Sequence, residues 1–354
     1  MTAQAPDEPP PSRRRQRYAG KNPRRFQDRY KELAPQSHPG IVEHIRAQGR
    51  TPAGAHVPIL VAEVLACLAP KPGEVFVDCT VGFGGHAMEF LRRLGPGGRL
   101  IGFDLDADQL ARTGARLVEA GFAPSMHHGN FAGIAQAVAR EAPDGADAVF
   151  ADLGVSSMQL DDPARGFSYK EDGPLDMRMD TRRKESAADL LARLSIDELS
   201  EAMRDLADEE DHEGIARGVE LARSRKRLER TRDLVDVVFA VKGITPKQWK
   251  ERQPGKALHP AAKTFLALRI LVNDELATLR ELLRAAPWCL RAGGRIALLT
   301  FHSGEDRLVK HAFADGLSQG LYRQISSEVV RATSEEIHSN PRASSAKLRW
   351  AVRP

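Results

Sequence analysis

Only three cysteines occur in 354 residues (Cys67, Cys79 and Cys289), far apart and without CxxC spacing. That excludes a disulfide framework and a cysteine-built zinc site, and it suits a reducing cytosol. Aromatic residues are scarce at 6%, so a core must be built from Leu, Val, Ile and Ala. No run approaches the roughly 18 consecutive apolar residues of a membrane-spanning helix. The opening MTAQAPDEPPPSRRR has no apolar segment of the kind a secretory signal needs. The histidines form no HxxxH or HExxH pattern, so no metal is expected. Neither a GxSxG elbow nor a Ser–His–Asp order argues for hydrolysis. What is present, 42% hydrophobic and 28% charged residues, is the balance of a globular protein, expected in the cytoplasm.

Charge is unevenly placed. Residues 1–50 carry 11 Lys and Arg against 5 Asp and Glu, whereas the other 304 carry 41 against 43. The overall +4 therefore resides in a basic tail, and the body is close to neutral. Such an arm suits an RNA or phosphate partner. A solvated, disordered extension is the plainer reading, and Asp7, Glu8 and Asp28 sit badly in a mitochondrial presequence.

From about residue 55, apolar runs alternate with helical patterns. Residues 75–80, 99–104, 125–129 and 148–152 read as strands, with helices starting near 87 and spanning 107–120. Residues 295–301 make a fifth strand. This alternation predicts βαβ units and a parallel, doubly wound α/β sheet. The runs 321–330 and 346–352 are placed to close it with an antiparallel edge. About 140 residues separate the fourth and fifth strands, far more than a βα loop of roughly 2–6 residues and one helix require. Within them Leu190, Leu191, Leu194, Leu199, Met203 and Leu206 keep a helical period, as do Leu234, Val235, Val238 and Phe239. The pattern predicts a helical domain over 160–257, inserted into a body made of 51–159 and 258–354. A long helix then runs over 259–287, with Phe265, Leu268, Val272, Leu276 and Leu279 on one face. Six cations over residues 223–232 read as a solvated helix face paired with Glu220 and Glu229, or as an RNA-phosphate contact.

The most informative segment follows the first strand: Asp78-Cys-Thr-Val-Gly82-Phe-Gly84-Gly85-His86. Glycines there let the backbone turn sharply and approach a ligand at a helix N-terminus. Asp104 ends the next strand, 20 residues beyond Gly84, where a carboxylate can accept two ribose hydroxyl protons. That pair fits NAD or S-adenosylmethionine. The spacing is not G-x-G-x-x-G, and an Asp four residues before the first Gly favours a methyltransferase sheet, which seats no pyrophosphate. The fourth strand ends Asp152-Leu-Gly154-Val-Ser156-Ser157-Met-Gln159, beside the crevice that open α/β sheets use for ligands. Ser156 or Ser157 reads equally as a helix N-cap. His302, ending the fifth strand, suits either a substrate contact or a cap for the following helix.

With these residues in view, the chain resembles the bacterial small-subunit ribosomal RNA methyltransferase H family, also called MraW. The resemblance covers roughly residues 55–354. Its blocks include His56-Val-Pro-Ile-Leu, Gly84-Gly-His86, Asp152-Leu-Gly-Val-Ser-Ser, Arg165-Gly-Phe-Ser, Gly173-Pro-Leu-Asp-Met-Arg-Met-Asp180, Phe301-His-Ser303 and Asn340-Pro-Arg342. It implies a Rossmann-like class I methyltransferase sheet with an inserted helical substrate-recognition domain. It further implies N4-methylation of a cytidine in the decoding region of 16S ribosomal RNA, within the small ribosomal subunit, with S-adenosylmethionine as donor. By the same resemblance Gly84, Gly85, His86, Asp104, Phe131, Asp152 and Gln159 line the cofactor site. Asp152 is also the candidate for polarising the target amine, and residues 173–180, otherwise a surface loop with a salt-bridged Arg178, border the base pocket. Arg165, Arg178, Asn273, His302 and Arg342 are the candidate substrate-binding residues. Departures are Cys79, Met158, Gly304, Ala262-Lys263, Leu266 and Ser344. The rival reading, a non-catalytic RNA-binding or ribosome-assembly protein on the same fold, is opposed by the intact Gly84–His86, Asp104 and Asp152 set.

Deleting residues 1–50 is expected to leave folding and cofactor affinity intact. If the arm contacts RNA, the truncation weakens binding to ribosomal particles and flattens its salt dependence. Equal salt slopes for the two proteins in a filter-binding titration would identify a solvated tail.

Overall fold

Side chains along the central strands alternate between two cores, which is why those strands read as unbroken apolar runs. Phe76, Leu100, Phe150 and Leu299 point to one face of the sheet, and Val77, Ile101, Val149 and Leu298 to the other. The computed structural model describes residues 58–251 and 258–354. The basic tail, His56 and Val57, and the 253–257 part of the expected domain boundary lie outside the described residues.

One seven-stranded sheet is built from β1 (Val75–Asp78), β2 (Arg99–Asp104), β3 (Ser125–His128), β4 (Ala146–Asp152), β5 (Leu290–Thr300), β6 (Gln324–Ile325) and β7 (Lys347–Val352). Its order is β3-β2-β1-β4-β5-β7-β6. The first five strands are parallel, and β7 runs antiparallel to both β5 and β6. The fold is thus the doubly wound, Rossmann-like sheet expected from the alternation. The outer edge is shorter than the run 321–330 predicts: only Gln324 and Ile325 pair as a strand, and Val330 returns as a single bridge to Leu348. Ser327 and Glu328 between them turn to solvent.

The helices in chain order begin with α1 (Val61–Leu68), α2 (Gly85–Leu94), α3 (Ala107–Glu119), α4 (Ile134–Glu141) and α5 (Ser157–Asp161). Between β4 and β5 follow α6 (Ala187–Arg193), α7 (Ile196–Ala207), α8 (His212–Arg223), α9 (Thr231–Val241), α10 (Pro246–Glu251), α11 (Ala262–Asn273) and α12 (Glu275–Cys289). The last are α13 (Ser303–Ser318) and α14 (Ser334–Ser339). Apolar positions of α1, α2 and α3, such as Val64, Phe90 and Leu117, cover one sheet face, while Ile134, Leu282 and Phe313 from α4, α12 and α13 cover the other. Leu191, Met203, Ile215, Leu234, Val238 and Phe265 form a third core, made by α6 to α9 together with α11. Among the described residues no helix is long and apolar enough to cross a membrane.

Two expectations are corrected here. The single helix over 259–287 is two helices, because Asp274 adopts a left-handed conformation (φ 54°) and breaks the ladder between α11 and α12. Phe265, Leu268 and Val272 therefore serve the helical core while Leu279 serves the sheet. The cations of 223–232 do not form a helix face either, since residues 224–230 link α8 to α9. Arg223 pairs with Glu220, Arg227 with Asp189, Arg230 with Asp172 at 2.8 Å and Arg232 with Asp236 at 2.9 Å.

The chain passes from β1 outward to β2 and β3, then returns to place β4 on the other side of β1. That reversal opens a crevice at the carboxyl ends of β1 and β4. The segment after β4 folds back on itself beside it. A Cβ on Gly173 would collide with the Pro163 carbonyl oxygen, and Thr231 grips the Gly173 backbone on its other side. Gly173→Ala should cost about 2–4 kcal/mol in chemical unfolding, because backbone rather than a flexible side chain must give way. Gly133→Ala, where a Cβ meets nothing within 4 Å, should stay within about 1 kcal/mol of the parent.

Candidate functional site

Three neighbouring strands end in carboxylates: Asp78 on β1, Asp104 on β2 and Asp152 on β4. The glycine loop after β1 is shaped to meet them. Gly82 (φ 49°) and Gly84 (φ 65°) take left-handed conformations, and a Cβ on Gly84 would lie 2.6 Å from the Thr113 methyl. Thr113 of α3 donates to the Gly82 carbonyl at 2.6 Å, and Gln109 supports both groups. The Gly82 amide, so oriented, donates to Asp104 Oδ2 at 2.7 Å, while the Asp106 amide donates to Oδ1 at 2.9 Å. Each Asp104 oxygen keeps a second lone pair for a ligand. Burial pushes the Asp104 carboxyl up, and those amides oppose the shift.

Asp78 is only 1% exposed. Its Oδ1 accepts from the Thr80 amide at 3.0 Å, and its Oδ2 is buried without a partner among the described residues. Burial, with Asp152 and Asp104 nearby, raises its pKa to about 7. The Thr80 hydroxyl in turn accepts from the Asp152 amide at 2.6 Å, lacing the ends of β1 and β4 together. Asp152 is recessed but keeps 29% of its side chain in reach of solvent. Burial and the Glu305 charge push its carboxyl up to about 7.

His86 sits at the start of α2, packed against the Phe150 ring (centroids 4.6 Å apart). Its Nε2 bonds the Ile59 carbonyl at 3.0 Å, which places the ring proton there and leaves Nδ1 an acceptor, 3.9 Å from Asp152 Oδ2. Burial lowers the His86 pKa to about 4, so the ring is neutral at pH 7 and the pair is not an ion pair. Glu305, 2% exposed, is held ionised against its burial by His302, Arg269 and the Phe301 amide.

Phe131 opens a short turn after β3, fixed by Asn130, whose side chain donates to Thr278 Oγ1 at 2.8 Å. The Gly129 amide ties that turn to the Asp104 carbonyl at 2.9 Å. Gln159 lies one turn beyond β4 and forms a capping box with Ser156, which is the N-cap of α5. Gly84, Gly85, His86, Asp104, Phe131, Asp152 and Gln159 thus all fall at the carboxyl ends of β1 to β4.

The candidate substrate residues are placed differently. Arg165 bonds Asp106 and the carbonyls of Arg178 and Met179. Arg178 grips Asp176 with two nitrogens and the Arg183 carbonyl with a third. Asn273 is buried, accepting from the Met179 amide and donating to the Met177 and Arg269 carbonyls. His302 accepts from the Glu305 amide as the N-cap of α13, and Arg342 bonds Asp161 at 2.9 Å. All five are thus engaged with neighbouring side chains or backbone groups of the chain. Residue patterns single out Asp78 only as a spacing marker and Glu305 only within the Glu305-Asp-Arg307 block of the resemblance, and they give Thr80 and Thr113 no role. Thr113 carries no local signal, because its role exists only once α3 packs under the glycine loop. Among the described residues no three His, Cys, Asp or Glu are grouped to hold a metal.

The sequence profile of the MraW methylase family matches residues 53–353. A protein named ribosomal RNA small subunit methyltransferase H 1, from Lachnoclostridium phytofermentans, is 40% identical over 349 residues, covering 97% of this chain and 94% of its own. A ribosomal RNA small subunit methyltransferase H from Geobacter sp. (strain M21) is 43% identical over 310 residues, covering 83% and 97%.

The raised Asp78 pKa has a stability consequence. A carboxyl whose folded pKa lies above its unfolded value favours folding below the unfolded pKa, and that contribution is lost as pH rises through about 7. Asp78→Asn should therefore stabilise the ligand-free protein at pH 8, by about 1–3 kcal/mol, with the gain shrinking toward pH 4. Thermal melts across that range check it, and a pH-independent difference would mean that Asp78 is ionised throughout.

Proposed function

The chain belongs to the MraW methylase family, and on that premise we propose that it methylates small-subunit ribosomal RNA. The acceptor we assign is the exocyclic N4 of a cytidine in the decoding region of 16S ribosomal RNA. The donor is S-adenosylmethionine, and the setting is the small ribosomal subunit in the cytoplasm. The names of the relatives support the RNA, and the chemistry of the crevice supports the donor.

One observation carries the cofactor reading: the buried, unpartnered Asp78 Oδ2 in a crevice that also holds Asp104 and Asp152. Burial, with the Asp152 and Asp104 charges nearby, raises the Asp78 pKa, and a buried carboxyl so disfavoured as an anion calls for a cation. A sulfonium and an ammonium answer that demand, and the pyrophosphate of a dinucleotide would worsen it. The residues therefore fit S-adenosylmethionine. Asp104 would hold the ribose hydroxyls, the Gly84–Gly85 backbone would flank the methionine portion, and Phe131 would pack beside the adenine. Gln159 closes the site from α5. When bound, S-adenosylmethionine supplies an electrophilic methyl group.

The remaining work falls to this chain. A cytosine N4 lone pair is delocalised into the ring and attacks poorly. Asp152 would accept an N4 hydrogen, localise that pair and take the proton released from the nitrogen as it gains the methyl group. A carboxylate with a pKa of about 7 is matched to that task near neutral pH. Burial, with the Glu305 charge beside it, is what makes it so basic, and neutral His86 adds no competing positive charge. The base must leave its stack to reach the crevice, and the helical segment between β4 and β5 is the part we assign to gripping the surrounding RNA.

Asp152→Asn should lower kcat by about 10²–10³-fold, with a smaller loss of S-adenosylmethionine affinity. Wild-type kcat should rise from pH 6 to 8 with a midpoint near the Asp152 pKa of about 7. Radiolabel transfer to undermethylated small subunits, followed by mass mapping of the modified nucleotide, checks both. A methyl group mapped to any atom other than a cytidine N4 would overturn the assignment.

A further inference from the structure

Arg165 joins two parts of the molecule that the proposed reaction must bring together. Its Nη1 donates to Asp106 Oδ2 at 3.1 Å, and its Nη2 donates to the carbonyls of Arg178 and Met179 at 3.0 and 3.1 Å. The far end of the link is the cofactor half. Asp106 Oδ1 caps α3 by accepting from the Gln109 amide, and the Asp106 amide donates to Asp104 Oδ1 at 2.9 Å. The near end is the 173–180 loop. The Met177 amide returns to the Arg165 carbonyl at 3.0 Å, and a Cβ on Gly166 would collide with the Pro174 carbonyl oxygen. Asn273 clamps the same loop from α11 through Met177 and Met179. The loop is therefore braced as a block, and a guanidinium ties that block to the residue beside the ribose carboxylate.

We infer that Arg165 is a positioning residue, through which filling the nucleoside end of the cofactor site fixes the 173–180 loop for RNA. The inference rests on the function proposed above. A ligand that donates to the free lone pair of Asp104 Oδ1 draws on the same oxygen that the Asp106 amide bonds, and so shifts the Asp106 backbone. Asp106 passes that change to Arg165 through the opposite carboxylate oxygen, and Arg165 passes it to two loop carbonyls. The guanidinium is suited to this because one planar fork reaches a carboxylate and two carbonyls together, which an ammonium cannot do. The Arg165 and Asp106 side chains are 24% and 19% exposed, so solvent screening weakens the pair without erasing it.

Coupling of this kind is reciprocal and measurable as a ratio of affinities. The affinity of full-length protein for undermethylated small subunits is measured with and without saturating S-adenosylhomocysteine, by filter binding. Wild type should bind at least about fivefold more tightly with the nucleoside present. Arg165→Met should bring that ratio within twofold of one and raise KM for the subunits more than it lowers kcat. Asp106→Asn, which keeps the helix cap, should do the same without touching the loop, and Arg165→Lys should restore part of the ratio. Should Arg165→Met fail to fold, Asp106→Asn decides the matter alone. A ratio unchanged from wild type in Asp106→Asn overturns the inference. So does a wild-type ratio of one, even in an enzyme that methylates normally, which separates this failure from failure of the proposed function.

Discussion

Three carboxylates converge where three strands end, and no counter-charge from the described residues reaches the deepest of them. Burying like charges together is expensive, and much of the surrounding architecture serves to keep them apart, hydrated or hydrogen-bonded. The Gly82 and Asp106 amides face Asp104, and the Thr80 amide faces one oxygen of Asp78. Asp152 is left at the water's edge, with an ionised Glu305 behind it. The left-handed glycines turn an amide inward, and Thr113 holds that turn. A site assembled this way stores a preference for positive charge before any ligand arrives.

How much of this can be read from residues alone depends on which force dominates each element. The central strands were legible because both faces are covered, so their apolar runs are unbroken and their ends are marked by Asp78, Asp104 and Asp152. The glycine loop was legible because only glycine tolerates its backbone. The junction at Asp274 was not, because apolar periodicity runs from Phe265 through Leu279 without a fault. Nothing local tells that the first half faces one core and the second half another. The cations of 223–232 misled for the opposite reason. Arg223 and Arg227 do meet the expected Glu220 and Glu229, but off a continuous helix face, and Arg227 and Arg230 also reach Asp189 and Asp172, which only the tertiary fold brings near.

The candidate substrate residues illustrate a third case. Arg178, Asn273 and Arg342 stand in blocks distinctive enough to draw attention, yet their polar atoms are spent on neighbouring carbonyls and carboxylates. A distinctive polar residue near a site can shape it without touching what binds there. The Met177 backbone, left-handed at φ 61° in a fully buried residue, is tolerable only because Asn273 and Arg165 secure the chain on either side.

The separation of β4 from β5 along the chain sets an order of events. Asp152 pairs in register with Leu299, 147 positions later, so the crevice's second wall cannot form until nearly all the intervening chain exists. The entropy of closing so long a loop grows only with the logarithm of its length, and helices α6 to α9, with mostly local contacts, can form ahead of it. Once folded, they shorten the effective distance between the two strands. During synthesis the half of the crevice carrying Asp78, Asp104 and Asp152 is therefore made first. It waits with its charged edge open until β5 arrives to close it.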